Sequence, residues 1–160
     1  MRLLPLVIII TLMVSSGCET VSPIYRPTTG GYLGADISPK KTWSCWGSVV
    51  NASAAIDEDL STIARGRFNS AGEEITIDLK RLCLFQTIII EHGQFEKGYC
   101  HRLSILTSVD GKKFTKQYDT SGTRRVTIIL LPKPTVARYI RLRVLKPGPE
   151  RWAVAEIYLQ

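Results

Sequence analysis

The chain has 160 residues, of which 44% are hydrophobic and 22% charged, and its formal net charge at pH 7 is +7. This length suits one domain with its own core. No run of Lys or Arg exceeds two residues, which excludes the dense basic tract of many nucleic-acid-binding segments. An anionic partner such as a sulfated glycan would suit the charge, but plain solubility explains it more simply.

The N-terminal segment has the organisation of an export signal. Arg2 is followed by an apolar run over residues 3–14 and then by residues 15–18 (SSGC). The run is too short for a permanent membrane-spanning helix and fits the core of a signal peptide. Small residues directly before a cysteine resemble the lipobox of bacterial lipoproteins. We therefore predict that residues 1–17 are removed and that a lipid on Cys18 anchors the chain to the cell envelope, at the outer membrane. Ordinary secretory cleavage near this point is the alternative.

Residues 18–39 are predicted to be a tether, because they are rich in Pro, Thr, Ser and Gly and show no hydrophobic period. Residues 40–160 are predicted to form one all-β domain. Segments of alternating or continuous apolar character follow one another, and turns separate them. Six or more short strands of this kind indicate a β-sandwich or jelly roll. The predicted strands are residues 73–79, 86–91, 102–107, 125–131, 138–144 and 152–159.

An acidic loop over residues 54–62 precedes the first of these strands. It places Asp57, Asp59 and Thr62 at offsets of two and three residues. Carboxylate, hydroxyl and carbonyl oxygens are the ligands that calcium prefers. The spacing is not that of an EF-hand loop, since the glycine and the final glutamate of that loop are missing. A polar turn, in which the aspartates accept hydrogen bonds from backbone amides, is the alternative.

The cysteines allow at most one disulfide if Cys18 is lipidated, because Cys45, Cys83 and Cys100 then remain. An exported chain meets conditions in which disulfides persist. Cys83 and Cys100 flank a predicted strand and, in a hairpin, would lie too far apart to bridge. The pairing is left open.

Five motifs follow one another along the chain: residues 55–62 (AIDEDLST), 75–79 (ITIDL), 108–114 (SVDGKKF), 137–142 (ARYIRL) and 152–157 (WAVAEI). In this order they resemble the discoidin family, also called coagulation factor V/VIII type C domains, which includes the family 32 carbohydrate-binding modules. The resemblance covers roughly residues 40–159 and implies a jelly-roll fold. Three departures stand out: Glu58 and Lys80 replace glycines, and Ala64 stands where a tryptophan is frequent.

The resemblance implies a structural calcium ion that ties the acidic loop to the last strand. Glu156 would contribute the third carboxylate of the site. A salt bridge between Glu156 and a basic residue such as Arg65 is the alternative. The implied ligands are the Ala54 carbonyl, Asp57, Asp59, Thr62, the Ala155 carbonyl and Glu156.

The resemblance also implies a ligand site on loops at one end of the sandwich, over residues 44–51, 64–71 and 93–100. Aromatic faces stack on sugars, and Arg, His and Gln side chains bind hydroxyls or anions. Packing beneath the loops is the alternative for Trp46 and Phe95, and a structural role is the alternative for His92. The candidate ligand-binding residues are Trp46, Arg65, Arg67, His92, Gln94, Phe95 and Tyr99, with Glu96 beside them.

No motif for catalysis is present: the two histidines lie near no nucleophile motif, and the chain has no GxSxG, HExxH or phosphate loop. We therefore predict a non-catalytic module that binds a cell-surface carbohydrate, with calcium as a structural ion and no nucleic acid partner. An adhesion or assembly module that binds a protein or a membrane surface is the alternative.

Overall fold

Eight β-strands and two short 3-10 helices make up the part of the chain that the computed structural model describes, residues 36–160. The export signal, Cys18 and nearly all of the tether lie outside the described residues. No helix within residues 36–160 is long and apolar enough to cross a bilayer. The helices are Lys40–Thr42 and Ala52–Ile56, and the strands are β1 (Ser44–Gly47), β2 (Ala64–Arg65), β3 (Glu74–Glu91), β4 (Arg102–Ser108), β5 (Thr115–Thr120), β6 (Val126–Lys146), β7 (Ala153–Val154) and β8 (Glu156–Leu159).

Two long strands, β3 and β6, form the frame of the domain. They pair antiparallel over most of their length, and the register shifts between Asp78 and Cys83 and again between Phe85 and Thr87. Such bulges bend a strand and increase its twist. The first half of β3 therefore pairs with β1, and its second half pairs with β8. The sequence predicted each long strand as two separate short ones.

The all-β jelly roll expected from the sequence is confirmed. The strand order β1-β3-β6-β4-β5 forms the larger sheet, β8 extends the other half of β3, and β2 pairs with β7. Inward side chains from both halves of the long strands, such as Ile77 and Ile88, belong to one buried cluster. Ile140 and Leu142 are buried, and Arg141 and Arg143, which alternate with them, are half-buried, as the alternation of β6 predicted.

Packing of the domain begins slightly before residue 40. The Ser38 hydroxyl donates to the Leu79 carbonyl at 2.5 Å, and the Trp43 indole nitrogen donates to the Ser38 hydroxyl at 2.9 Å. Both side chains are buried. Residues at the end of the predicted tether are therefore part of the domain.

Candidate functional site

The predicted ligand loops meet at one end of the molecule. Val50 and Arg65 exchange backbone hydrogen bonds of 2.8 and 3.0 Å, and Arg65 pairs with Ala153 between β2 and β7. The Ala153 amide donates in turn to the Gly98 carbonyl at 2.8 Å. Segments around residues 50, 65 and 98 are thus hydrogen-bonded neighbours, although they are distant in sequence.

A cation–π pair lies at the centre of this loop cluster. The Arg65 guanidinium lies over the Phe95 ring, 4.2 Å from its centroid, and both residues are half-buried. Arg67 is exposed and its Nε donates to the Ser48 carbonyl at 2.9 Å. The aromatic ring thus holds the Arg65 guanidinium in place, and a backbone hydrogen bond positions that of Arg67.

Phe68 is a candidate that the sequence reasoning missed. It is 70% exposed, more than any other large hydrophobic residue described. The buried Glu73 fixes the turn that carries Phe68, because the Glu73 carboxylate accepts from the Phe68 amide at 2.9 Å. The same carboxylate packs against Gly66, where a Cβ would collide with it. The only sequence signal was an aromatic residue in a polar turn beside Arg67.

Gln94 and Tyr99 belong to the same group of loops. Gln94 is exposed, and the Tyr99 ring meets the His101 ring edge-on with centroids 5.8 Å apart. The Tyr99 carbonyl lies against Gly148, and Asn69 donates to the Gly148 carbonyl at 3.2 Å. The loop that follows β6 therefore borders this surface as well.

His92 has a structural role, which was the alternative stated for it. It is 1% exposed, and its Nδ1 donates to the Ala153 carbonyl at 2.7 Å. Its Nε2 lies 2.9 Å from the Thr127 hydroxyl. Burial lowers the pKa of His92, so the ring is neutral at pH 7. Both ring nitrogens are occupied, and the side chain does not offer a contact to a ligand.

Trp46 lies on β1 and not in a loop, which corrects the predicted loop over residues 44–51. Its register places it beside Thr76 on the outer face of the larger sheet. The ring packs edge-on against Tyr139, with centroids 6.5 Å apart. Trp46 therefore contributes to the sheet face, where Arg141 also lies over Phe114.

The acidic loop forms the self-contained polar turn that was the alternative to a calcium site. The Asp57 carboxylate accepts from the Asp59 amide at 3.1 Å and from the Thr62 hydroxyl at 2.7 Å. The Asp59 carboxylate accepts from the Ser61 hydroxyl at 2.6 Å and from its amide at 2.9 Å. The hydrogen bond from the Ser61 hydroxyl is the main cause that lowers the pKa of Asp59.

The third carboxylate of the predicted calcium site has another partner. Glu156 is fully buried, and the Lys40 ammonium lies 2.5 Å from its Oε1. Ala54 and Ala155, whose carbonyls were the other predicted ligands, are both buried. Within residues 36–160 no three His, Cys, Asp or Glu side chains converge as a metal site. The described donors do not fit the predicted ion, and calcium stays a prediction that only measurement tests.

The three described cysteines are free thiols. Cys83 and Cys100 are buried, and Cys45 is half-buried. Burial raises the pKa of Cys45 to about 12 and that of Cys100 further, so both remain protonated and unreactive at neutral pH.

Several solved structures share this fold. The family 32 carbohydrate-binding module of NanJ from Clostridium perfringens, in complex with galactose, has a TM-score of 0.67 at 17% identity, covering 79% of this chain and 98% of that chain. CpGH89CBM32-5 from the same organism, in complex with GalNAc-β-1,3-galactose, has a TM-score of 0.68 at 17% identity, with 76% and 96% covered. A chitosan-binding module from Paenibacillus sp. IK-5 has a TM-score of 0.63 at 18% identity, with 79% and 98% covered.

No curated protein matches the sequence. The family model for the F5/8 type C domain, however, matches residues 38–157, which is nearly the whole of the domain described above. The chain therefore belongs to the F5/8 type C domain family.

Proposed function

We propose that this protein is a non-catalytic carbohydrate-binding module. The observation that carries the proposal is the cluster of cationic and aromatic side chains at the loop end, with Arg65 over Phe95 at its centre and the exposed Arg67 and Phe68 beside it. Aromatic faces pack on the apolar faces of sugar rings, and guanidinium groups donate to hydroxyls and carboxylates. The solved structures with this fold include modules in complex with galactose and with GalNAc-β-1,3-galactose, which supports this class of ligand.

The test is binding of the soluble chain, residues 19–160, to a glycan array, followed by titration of the best glycan. We expect Phe68→Ala to weaken binding at least about tenfold, because it removes the most exposed aromatic face of the loop cluster. Tyr118→Ala is the matched control, since Tyr118 is an exposed aromatic residue on β5, outside the loops. Its affinity should equal that of the wild type.

Two results would overturn this proposal. The first is that Phe68→Ala binds the glycan as tightly as Tyr118→Ala, which would place the site elsewhere. The second is a failure to bind any glycan while binding to whole cells or envelope proteins is retained, which would favour an adhesion or assembly module.

The proposal includes display on the cell envelope through a lipid on Cys18. It rests on the apolar run and the small residues before Cys18 and on no described residue. Fractionation of cells that express Cys18→Ala tests it: we expect the variant to leave the membrane fraction, and its retention there would count against lipidation.

A further inference from the structure

The buried carboxylate of Glu156 requires a positive partner. It is fully buried at the start of β8, and its Oε2 has no hydrogen-bond partner among residues 36–160. An ionised carboxylate removed from water is strongly destabilising unless a cation compensates it. A metal ion held by the acidic loop was the cation that the sequence led us to expect.

Lys40, which is distant from Glu156 in sequence but adjacent in space, supplies that charge. Its ammonium lies 2.5 Å from Glu156 Oε1, and its side chain is only 12% exposed. The same ammonium lies over the Tyr158 ring, 4.1 Å from the centroid. An ion pair and a cation–π contact thus hold one desolvated cation between two residues of β8.

The backbone around Lys40 is fixed so that its side chain points inward. Lys40 begins a 3-10 turn in which the Thr42 hydroxyl donates to the Pro39 carbonyl at 2.7 Å. The Trp43 amide closes the turn on the Lys40 carbonyl at 2.8 Å. The Trp43 side chain is buried and anchored to Ser38. The lysine is therefore positioned by packed neighbours and not by the ion pair alone.

Two of the three carboxylates of the acidic loop, those of Asp57 and Asp59, accept hydrogen bonds from within the loop, as described above. The third, Glu58, adds negative charge near β8: after burial, the charges of Glu156, Glu91 and Glu58 raise the pKa of Tyr158. A protonated lysine cannot be a metal ligand, and its charge repels a divalent ion placed beside it.

We propose that Lys40 is the resident cation of this domain and takes the place of a bound metal ion. The Lys40–Glu156 pair joins the first turn of the domain to its last strand, so a covalently attached charge closes the fold. The stability of the domain then does not depend on calcium.

The experiment compares the melting temperature of the soluble chain, residues 19–160, in excess EDTA and in excess calcium. We expect the same value in both, because no metal is part of the fold. A melting temperature that falls in EDTA and recovers with calcium would overturn the proposal. This comparison uses the wild-type chain, so it does not depend on whether a variant folds.

Charge variants test the pair itself. Lys40→Met keeps the apolar stem and removes the charge, and it should lower the melting temperature in EDTA by at least about 5 °C. Adding Glu156→Gln to Lys40→Met should restore most of that loss, since the neutral amide needs no counter-charge. Lys41→Met is the matched control, because Lys41 is the exposed neighbour, and it should behave as the wild type. Equal melting temperatures for Lys40→Met and Lys41→Met, or no recovery in the double variant, would overturn the role of Lys40.

Discussion

At the scale of single residues, four non-glycine residues among those described have a left-handed backbone: Asn51, Glu58, Lys80 and Arg125. Glu58 has φ of 65° and Lys80 has φ of 68°. A Cβ costs roughly 1–2 kcal/mol in this region, which glycine avoids. Glu58 and Lys80 are the two positions at which the resemblance to the family leads us to expect glycine. Both positions have the left-handed backbone that glycine favours, although neither residue is glycine.

Lys80 has contacts that offset part of this cost. Its ammonium donates to the Ser44 hydroxyl at 2.7 Å and lies 3.3 Å from Asp78 Oδ2. Its amide donates to Asp78 Oδ1 at 2.7 Å, as any residue at this position could. The side chain therefore adds contacts across β1 and β3, where the strand bends.

We predict that Lys80→Gly is more stable than Lys80→Ala by about 1 kcal/mol. Both variants lose the ammonium contacts, but only alanine keeps the Cβ in the left-handed region. Urea denaturation of the two variants measures the difference directly. Equal stabilities would mean that the backbone at this position relaxes to a negative φ when the side chain is shortened.

At the scale of elements, Asp78 and Arg138 join the two long strands beside the bulge. Arg138 Nε donates to Asp78 Oδ1 at 2.8 Å, and its Nη2 donates to Oδ2 at 3.1 Å. Asp78 is buried. The hydrogen bonds from Arg138 are the first cause that lowers the pKa of Asp78 to about 2. A paired fork of this kind fixes geometry as well as charge.

This pair predicts a specific dependence of stability on pH. The pKa of Asp78 is lower in the folded chain than the value of about 4 for an unfolded aspartate. The contribution of Asp78 to the free energy of unfolding is therefore complete above about pH 4 and is lost as the pH falls towards about 2. Asp78→Asn should lower the unfolding free energy by about 1.5–3 kcal/mol at pH 7 and flatten the acid limb of the curve.

Urea denaturation across this pH range measures both effects. Asp36→Asn is the control, since Asp36 is exposed, and it should leave the curve close to that of the wild type. An acid limb as steep in Asp78→Asn as in the wild type would show that other carboxylates cause it.

The sequence predicted the strands but not how they join. Alternation was clear in residues 73–79 and 86–91, yet the chain continues through both as β3. A bulge depends on pairing with a distant strand, and a lysine at position 80 does not by itself indicate the left-handed backbone found there. Lys40 was likewise predicted only as the first residue of the domain, because nothing local indicates a partner on the last strand.

The sequence predicted part of the candidate ligand site. The resemblance to the family placed Arg65, Arg67 and Phe95 on loops of one ligand site, and the structure brings these segments together. His92 looked equally suitable from its residue type, but it is buried and therefore does not reach a ligand. Its burial follows from tertiary packing, which no local sequence pattern indicates. Phe68 was missed because its exposure depends on the buried Glu73 beneath its turn.

At the scale of the whole molecule, one half of β6 leaves an apolar edge. Residues 126–130 pair with β3, while β4 pairs only with residues 139–146 further along the strand. Ile128 is 66% exposed and Leu130 is 63% exposed on this segment. Half-buried Ile89 and the exposed Tyr158 continue the apolar face through the neighbouring strands. Edge strands of this composition are prone to pair with other chains.

We predict that this edge sets the tendency of the domain to aggregate. Ile128→Lys places a charge on the outer face of the edge without disturbing the core, because the inward neighbours Thr127 and Ile129 are unchanged. Light scattering on gentle heating should show slower aggregation, with a melting temperature within about 2 °C of the wild type. Ser121→Lys adds the same charge at an exposed position outside the strands and should aggregate like the wild type. If both lysine variants slowed aggregation equally, the added net charge rather than the open edge would be the cause.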